Sequence, residues 1–520
     1  MTIFLYTIVI ALIILLPLVT AVWFRRRFVA PWWLFLVGAA TFVGSQIVHL
    51  PLNNWLTDLG VIGPALPGDA NFLRTAVILG LSAGLCETAA RVVSFALLFR
   101  WRAAERREDG LMVGLGHGGI EAMGLVAVLM AASLSSLWAL RGTDLNTLNL
   151  TAEQLTYLTG QLQGLEQVSW APLAALLERA IAMFMHVVLA LLVWQAFRRR
   201  KALYALAALL YHALFDFTAV YLGQTLDQVG WLYLVLLVML LPGGVWLWRM
   251  WPVDGERPST QPVAIELRLF GAALRKEMLQ QWRTRRILVV GAVFVIFGLG
   301  SPLLAKFTPQ MLTMIEGAEQ FADLIPVPTQ ADAMIQYIKN ITQFGFIIAI
   351  LLGMGAVAGE KERGQAALIL SKPLPRWAFL LSKFTAQALM YAAAFLLAAL
   401  GAYYYTLILF EPFQFWPFVV GNGLLLLWLL TFTAVTLFAS TLSRSSGAAA
   451  GVALLGAVFL LLMGSIPQLA PFAPAALVGW AGQLGLVTAV PPQGGAVVAN
   501  TLLIILLLMG SIAAFETQEL

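Results

Sequence analysis

Charge is scarce in this sequence: Asp, Glu, Lys and Arg make up 11% of its 520 residues, against 61% hydrophobic ones. That balance excludes a disordered chain, which stays solvated through high charge and low hydrophobicity, and it excludes an ordinary string of soluble domains. A single cysteine, Cys86, excludes an internal disulfide framework. The formal net charge of +5 is modest and its basic residues fall in short clusters between apolar runs, so no nucleic-acid partner is expected. Two motifs are missing too: no Gly-x-x-x-x-Gly-Lys-Ser/Thr phosphate loop and no His-Glu-x-x-His helix occurs in the chain. Histidine stops early. The four are His49, His117, His186 and His212.

What the sequence has in abundance is long apolar runs. About 20 residues of helix cross a hydrocarbon core roughly 30 Å thick, and thirteen runs are long enough: 3–23, 32–50, 72–99, 111–140, 171–197, 202–222 and 231–248, then six beginning near 287, 341, 384, 415, 448 and 500. The expected fold is an all-α polytopic membrane protein with about thirteen transmembrane helices in two helical bundles, seven and six. Basic residues test the count, because they concentrate in alternate loops on the cytoplasmic side. The clusters at 25–27, 100–107, 198–201, 249–286 and 361–383, with Arg444, hold 25 of the 31 Lys and Arg residues. They place the chain in the cell membrane, N-terminus outside and C-terminus in the cytoplasm. A cleaved signal peptide is not expected, since the basic triplet follows the first apolar run rather than preceding it. A polar, proline-rich stretch at 252–262 marks the boundary between an amino-terminal domain, 1–250, and a carboxy-terminal domain, 264–520, with 251–263 as a cytoplasmic linker.

The amino-terminal spans carry charges that insertion disfavours by roughly 2.5 to 3.5 kcal/mol each, and these recur at helical spacing. Glu87 and Arg91, His117 and Glu121, and His212 and Asp216 are pairs four residues apart, while Glu178 precedes His186 by two turns. At about 1.5 Å per residue, Glu87, Glu121, His186 and His212 reach one depth. Acid and imidazole from four helices at one level suit general acid/base work better than packing. The glycines at 114, 116, 118 and 119 leave room for close helix approach or for a substrate backbone. His49, near Gln46 and Asn53, reads as a structural histidine, and Cys86 as a small packing residue.

In order on consecutive helices, Glu-x-x-x-Arg, Gly-His-Gly-Gly-x-Glu, Glu-Arg-x-x-Ala-x-x-x-His and His-x-x-x-Asp resemble the YhfC family of intramembrane proteases, relatives of the CAAX-processing and PrsW-type glutamic membrane proteases. The resemblance covers about residues 1–250. It implies that Glu87 and His117 activate a water against a peptide carbonyl and that His186 and His212 stabilise the oxyanion. Arg91 would hold Glu87, Asp216 would orient His212, and Glu121 and Glu178 would line the site. The family often doubles the first glutamate, where this chain has Thr88. No metal ligand set is assigned from the sequence, although three His, or two His and a carboxylate, would suffice for zinc. A metal-activated water and a Glu/His-activated one stay open alternatives.

In the second half, Leu267, Phe270, Leu274, Met278 and Trp282 fall at helical spacing among Arg268, Arg275, Lys276 and Arg283, which predicts an interfacial amphipathic helix at 264–286. After the second span comes a dense charged helix-and-turn, Gly-Glu-Lys-Glu-Arg-Gly to Ser-Lys-Pro-Leu-Pro-Arg, at 359–376. With six spans and a proline- and glycine-rich external segment at 467–495, these features resemble the permease subunits of type-2 ABC exporters over about residues 262–516. The resemblance implies that Glu360, Lys361, Glu362 and Arg363 dock on a separate ABC ATP-binding subunit, which uses the ATP, and that permeases pair as a homodimer or heterodimer. Acidic residues are nearly absent from these spans, which disfavours a proton-coupled carrier. The combined expectation is an intramembrane peptidase fused to an exporter permease, processing and exporting a peptide. Its alternatives are a permease with a non-catalytic scaffold or adaptor, and a metal-dependent membrane hydrolase.

Overall fold

The computed structural model describes residues 2–28, 30–63, 71–145, 152–166, 171–226, 229–250, 262–313, 327–410, 414–486 and 490–519, and among these no strand occurs. Helix is what hydrocarbon demands, because each backbone N–H and C=O must find its partner within the segment. Thirteen of the helices are long and apolar enough to cross a membrane, matching the number of apolar runs. Most of the expected linker, 251–261, lies outside the described residues, as do 487–489 of the proline- and glycine-rich segment.

By contact, the chain divides into two compact units: Met1–Met130 with Thr156–Thr260, and Ala131–Leu155 with Gln261–Leu520. The first unit is built on α1 (Thr2–Phe28), α2 (Trp32–Asp58), α3 (Phe72–Arg100), α4 (Arg107–Leu140) up to Met130, α5 (Ala152–Glu166) from Thr156, α6 (Ala171–Arg199), α7 (Leu203–Thr225) and α8 (Val229–Met250). Within α4, Glu121–Ala127 widens into a π-helical stretch. Pairs of glycines set how closely these helices meet. A Cβ on Gly116 of α4 would fall 1.9 Å from the Phe35 carbonyl oxygen of α2, and one on Gly38 of α2 would fall 2.0 Å from that of Val113. The glycine run therefore serves helix contact, the first of the two uses its composition allowed.

The second unit contains α9 (Val263–Arg283), α10 (Arg286–Thr313), α11 (Gln330–Gly353), the short α12 (Ala358–Glu362) and α13 (Gln365–Leu370), then α14 (Arg376–Leu409), α15 (Phe415–Leu442), α16 (Ser446–Met463), α17 (Pro474–Leu486) and α18 (Gly494–Glu516). Its core gathers Phe294, Tyr337, Tyr391, Phe395, Trp428 and Phe432 between the long helices. Two helices begin well before their apolar runs suggest: α11 opens on a Thr329/Asp332 capping box, and α14 at Arg376 just after Pro375. The proline- and glycine-rich segment contains α17, with Pro474 at its first position, where a missing N–H does no harm. The amphipathic α9 turns Leu267 and Trp282 outward, at 57% and 62% exposure, while Glu277 and Gln281 are its buried residues.

The glycine contacts make a prediction about stability. Gly116→Ala drives a methyl into backbone and should destabilise by about 1–3 kcal/mol, whereas Gly160→Ala, with nothing within 4 Å of its Cβ, should be neutral or stabilising by about 0.5–1 kcal/mol. Thermal unfolding of the purified variants in detergent should order them so; equal midpoints would refute the close-packing account.

Candidate active site

The four helices that carry the expected acids and imidazoles bring them to one place. Glu87 of α3 is buried, and its Oε2 accepts a hydrogen bond from Arg91 Nη2 at 3.2 Å, lies 2.9 Å from His117 Nε2 of α4, and lies 3.7 Å from His212 Nε2 of α7. Arg91 donates through the same nitrogen to His186 Nδ1 of α6 at 2.7 Å, so one guanidinium one turn beyond Glu87 spans two helices. His186 turns its Nε2 to Glu121 Oε2. His212 Nε2 also meets Asp216 Oδ2, one turn on, at 3.3 Å, and its Nδ1 has no hydrogen-bond partner among the described residues. The imidazoles pack on one another, His117 to His186 at 5.0 Å and His186 to His212 at 5.5 Å between ring centroids.

The remaining expected residues form the rim. Arg179 Nη1 donates to Glu121 Oε1 at 2.8 Å, and Nη2 donates to Glu178. Glu178 and Asp216 are the accessible members, with side chains 44% and 31% exposed. A cavity of about 90 Å³ lies among Glu87, Glu121, Glu178, His186, His212 and Asp216. It has room for a few waters and not for a peptide segment. His49 stands apart, 3.1 Å from Ser82 Oγ and accepting from Asn53 Nδ2 at 3.0 Å, and Cys86 is buried in packing. Thr41 of α2, which no sequence pattern singles out, joins the site: its Oγ1 lies 2.7 Å from His117 Nδ1.

The donor chemistry suits a cation. Four carboxylates, Glu87, Glu121, Glu178 and Asp216, face two guanidinium groups, Arg91 and Arg179, so carboxylates outnumber guanidinium groups by two beside the three imidazoles. Glu87, His117 and His186 each offer a ligand atom within 4.8 Å of the others, the two-His, one-carboxylate set that zinc accepts. His186 enters such a set only by giving up Arg91 or Glu121, since both its nitrogens are engaged.

Comparison with known proteins agrees with this division of labour. Residues 12–240 match the sequence profile of the YhfC intramembrane metalloproteases, and residues 272–480 that of the ABC-2 family transporter proteins. The chain joins a YhfC-type domain to an ABC-2-type permease domain. Among its relatives, the transmembrane protein YxlG of Bacillus subtilis (strain 168) is 29% identical over 195 residues, 37% of this chain and 76% of its own length. The membrane protein YhfC of the same organism is 29% identical over 219 residues, 40% and 81% of the two chains. The probable ABC transporter permease protein NosY of Stutzerimonas stutzeri is 29% identical over 196 residues, 36% and 65% of the two.

In the ABC-2-type domain the charged loop folds as expected into a helix and turn, α12 and α13 hinged at Gly364 with φ +68°. Its residues part company, however. Glu360 was expected at the docking surface, but it is buried: Oε1 accepts from Lys276 Nζ of α9 at 2.9 Å, and Oε2 contacts Lys383 Nζ of α14 at the same distance. Glu277 Oε1 takes both ammonium groups too, at 2.8 and 2.9 Å. Two lysines and two glutamates thus close a ring that ties the loop to α9 and α14. Burial alone would lower the Lys276 ammonium, yet Glu277 and Glu360 hold it above its usual value. Lys361 is half-buried, donating to the Thr441 carbonyl at 2.7 Å and to Gln518 Oε1 at 3.1 Å. Glu362 and Arg363 are exposed.

Breaking this ring on one side leaves a carboxylate short of its partner. Lys383→Met should therefore destabilise by about 3–5 kcal/mol, and adding Glu360→Gln should recover part of that loss. A double-mutant cycle read by thermal unfolding checks it; additive losses would mean that the two groups do not interact.

Proposed function

We propose that the YhfC-type domain hydrolyses a peptide bond within the membrane and that the ABC-2-type domain exports the product, powered by a separate ATP-binding subunit. The observation that carries the first half is the meeting of Glu87, His186 and His212 at one small cavity, with His117 against Glu87 and two more carboxylates than guanidinium groups around them. Glu87, His117 and His186 would hold a divalent metal, which when bound supplies a Lewis acid and an acidified water. In that reading His117 is committed through Nε2, and Glu87 would take up and pass on the proton of the attacking water through its other carboxylate oxygen. Protonated, His212 would donate from Nδ1, which has no partner among the described residues, toward the oxyanion while Asp216 holds its Nε2–H. Arg91 holds Glu87 and His186 in line, and Arg179 with Glu121 and Glu178 forms the mouth. A second reading, a glutamic mechanism in which Glu87 and His117 alone activate the water, is favoured by their 2.9 Å contact.

For the second domain, the absence of a phosphate loop supports ATP hydrolysis by a partner chain, and the burial of Glu360 moves the docking surface to Glu362, Arg363 and the open face of Lys361. The basic clusters support a cytoplasmic placement of that surface and of the C-terminus, with the N-terminus outside. Pairing of two permease units, from two copies or from a relative, rests on the family resemblance.

Glu87→Gln or His117→Ala should lower peptide cleavage by about 10²- to 10⁴-fold with insertion unchanged, measured on reconstituted protein against a mapped substrate. Loss of cleavage on chelation, restored by zinc, selects the metal reading; chelator-resistant cleavage selects the glutamic one, and wild-type rates in both variants sink the protease. On the other domain, Glu362→Lys with Arg363→Glu should weaken pull-down of the ATP-binding subunit while leaving the thermal midpoint unchanged. Undiminished capture would move the docking surface elsewhere.

A further inference from the structure

The proton arrangement around His117 follows from a residue outside every motif. Thr41 Oγ1 has one hydrogen, and it donates that hydrogen to the Gly38 carbonyl one turn back, at 2.6 Å. Toward His117 Nδ1, 2.7 Å away, the hydroxyl is therefore left as an acceptor, and Nδ1 must carry the proton. A neutral His117 then presents Nε2 as a bare electron pair, and that pair is aimed at Glu87 Oε2 across 2.9 Å. Two acceptors at that distance are held together by something positive between them, a proton or a metal ion.

We propose that Thr41 is a positioning residue that fixes His117 in the Nδ1–H tautomer, so that Nε2 always faces Glu87 as a ligand or a base. This rests on the reading of Glu87 and His117 as the reactive pair. The fold supports it at close range. A Cβ on Gly38 would sit 2.8 Å from the His117 backbone nitrogen, so the missing side chain at that position lets the Thr41 turn of α2 seat against the His117 turn of α4. The ring has little freedom to turn away, because Phe42 meets it edge-on at 5.4 Å and His186 packs against it. Thr41 is itself buried, so water does not compete for the contact. Partners of this kind, on the far nitrogen of a ligating imidazole, typically change metal affinity by about 10- to 100-fold.

The test uses the full chain in lipid nanodiscs with ¹⁵N-labelled histidine, the His117 signals assigned by their loss in His117→Gln. Wild type and Thr41→Ser should show neutral His117 protonated on Nδ1, whereas Thr41→Val, of the same shape without the hydroxyl, should shift it toward Nε2–H donating to Glu87. Zinc added as the sole probe should bind about 10- to 100-fold more weakly to Thr41→Val than to wild type, and Thr41→Ser should restore the affinity. An Nε2–H tautomer in wild type overturns the proposal without recourse to any variant. So does a Thr41→Val protein that keeps both the Nδ1–H tautomer and wild-type zinc binding. If wild type binds no zinc that Glu87→Gln removes, the metal reading fails, while the tautomer readout still decides the role of Thr41.

Discussion

An ionised side chain in the middle of an apolar bundle has no water to turn to, and every arrangement around the amino-terminal site answers that constraint. Desolvating Glu87 or Arg91 alone would be prohibitive, so the two sit one turn apart on the same helix and are then shared outward to His117, His186 and His212. Sharing a charge among four helices requires them to come within hydrogen-bond reach of one another. Side chains of ordinary size would hold them apart, which is why Gly38 and Gly116 lie where α2 and α4 touch and why Gly114 and Gly118 lie against α6 near Val187 and His186. The acids, the imidazoles and the small residues are thus one requirement expressed three ways.

Much of this was legible beforehand because it is periodic. Charges four residues apart in apolar runs announce both a helix face and a shared depth, and Glu87, Arg91, His117, His186, His212 and Asp216 all meet as that spacing implies. Thr41 was not legible. A threonine in an apolar run is ordinary, and only the fold shows that its one proton is already committed to Gly38. Glu121 was read with His117, its neighbour one turn back, but the structure gives it to His186 and Arg179 on α6. Glu360 was misread as surface because dense charge usually is surface. Its partner Lys383 lies within α14, which starts at Arg376, where the apolar run marked a start near 384 and left that lysine in the loop. A boundary set a few residues late was enough to hide the pairing.

The two charge clusters show opposite uses of the same material. In the ABC-2-type domain two ammonium groups alternate with two carboxylates, each contact at 2.8 to 2.9 Å, and nothing is left over to react. In the YhfC-type domain carboxylates outnumber guanidinium groups, one imidazole nitrogen is unpartnered, and a cavity adjoins the surplus. Completeness marks the first as a joint; incompleteness marks the second as a site. The joint also explains why Glu277 and Gln281 are the buried residues of α9 while Leu267, Leu279 and Trp282 face outward: an amphipathic helix at a lipid boundary can turn apolar side chains to the lipid and keep polar ones for the protein.

The π-helical stretch at Glu121–Ala127 alters how α4 must be counted. Each residue of an α-helix turns the chain by about 100°, and a stretch bonded to the fifth rather than the fourth residue accommodates one more residue in the turn. Positions before Glu121 and positions after Ala127 therefore fall out of step with a strict 3.6-residue count by about one residue. Removing one residue from the widened turn would restore ordinary α-helical bonding there without turning the helix, because the wide turn has already absorbed the extra residue.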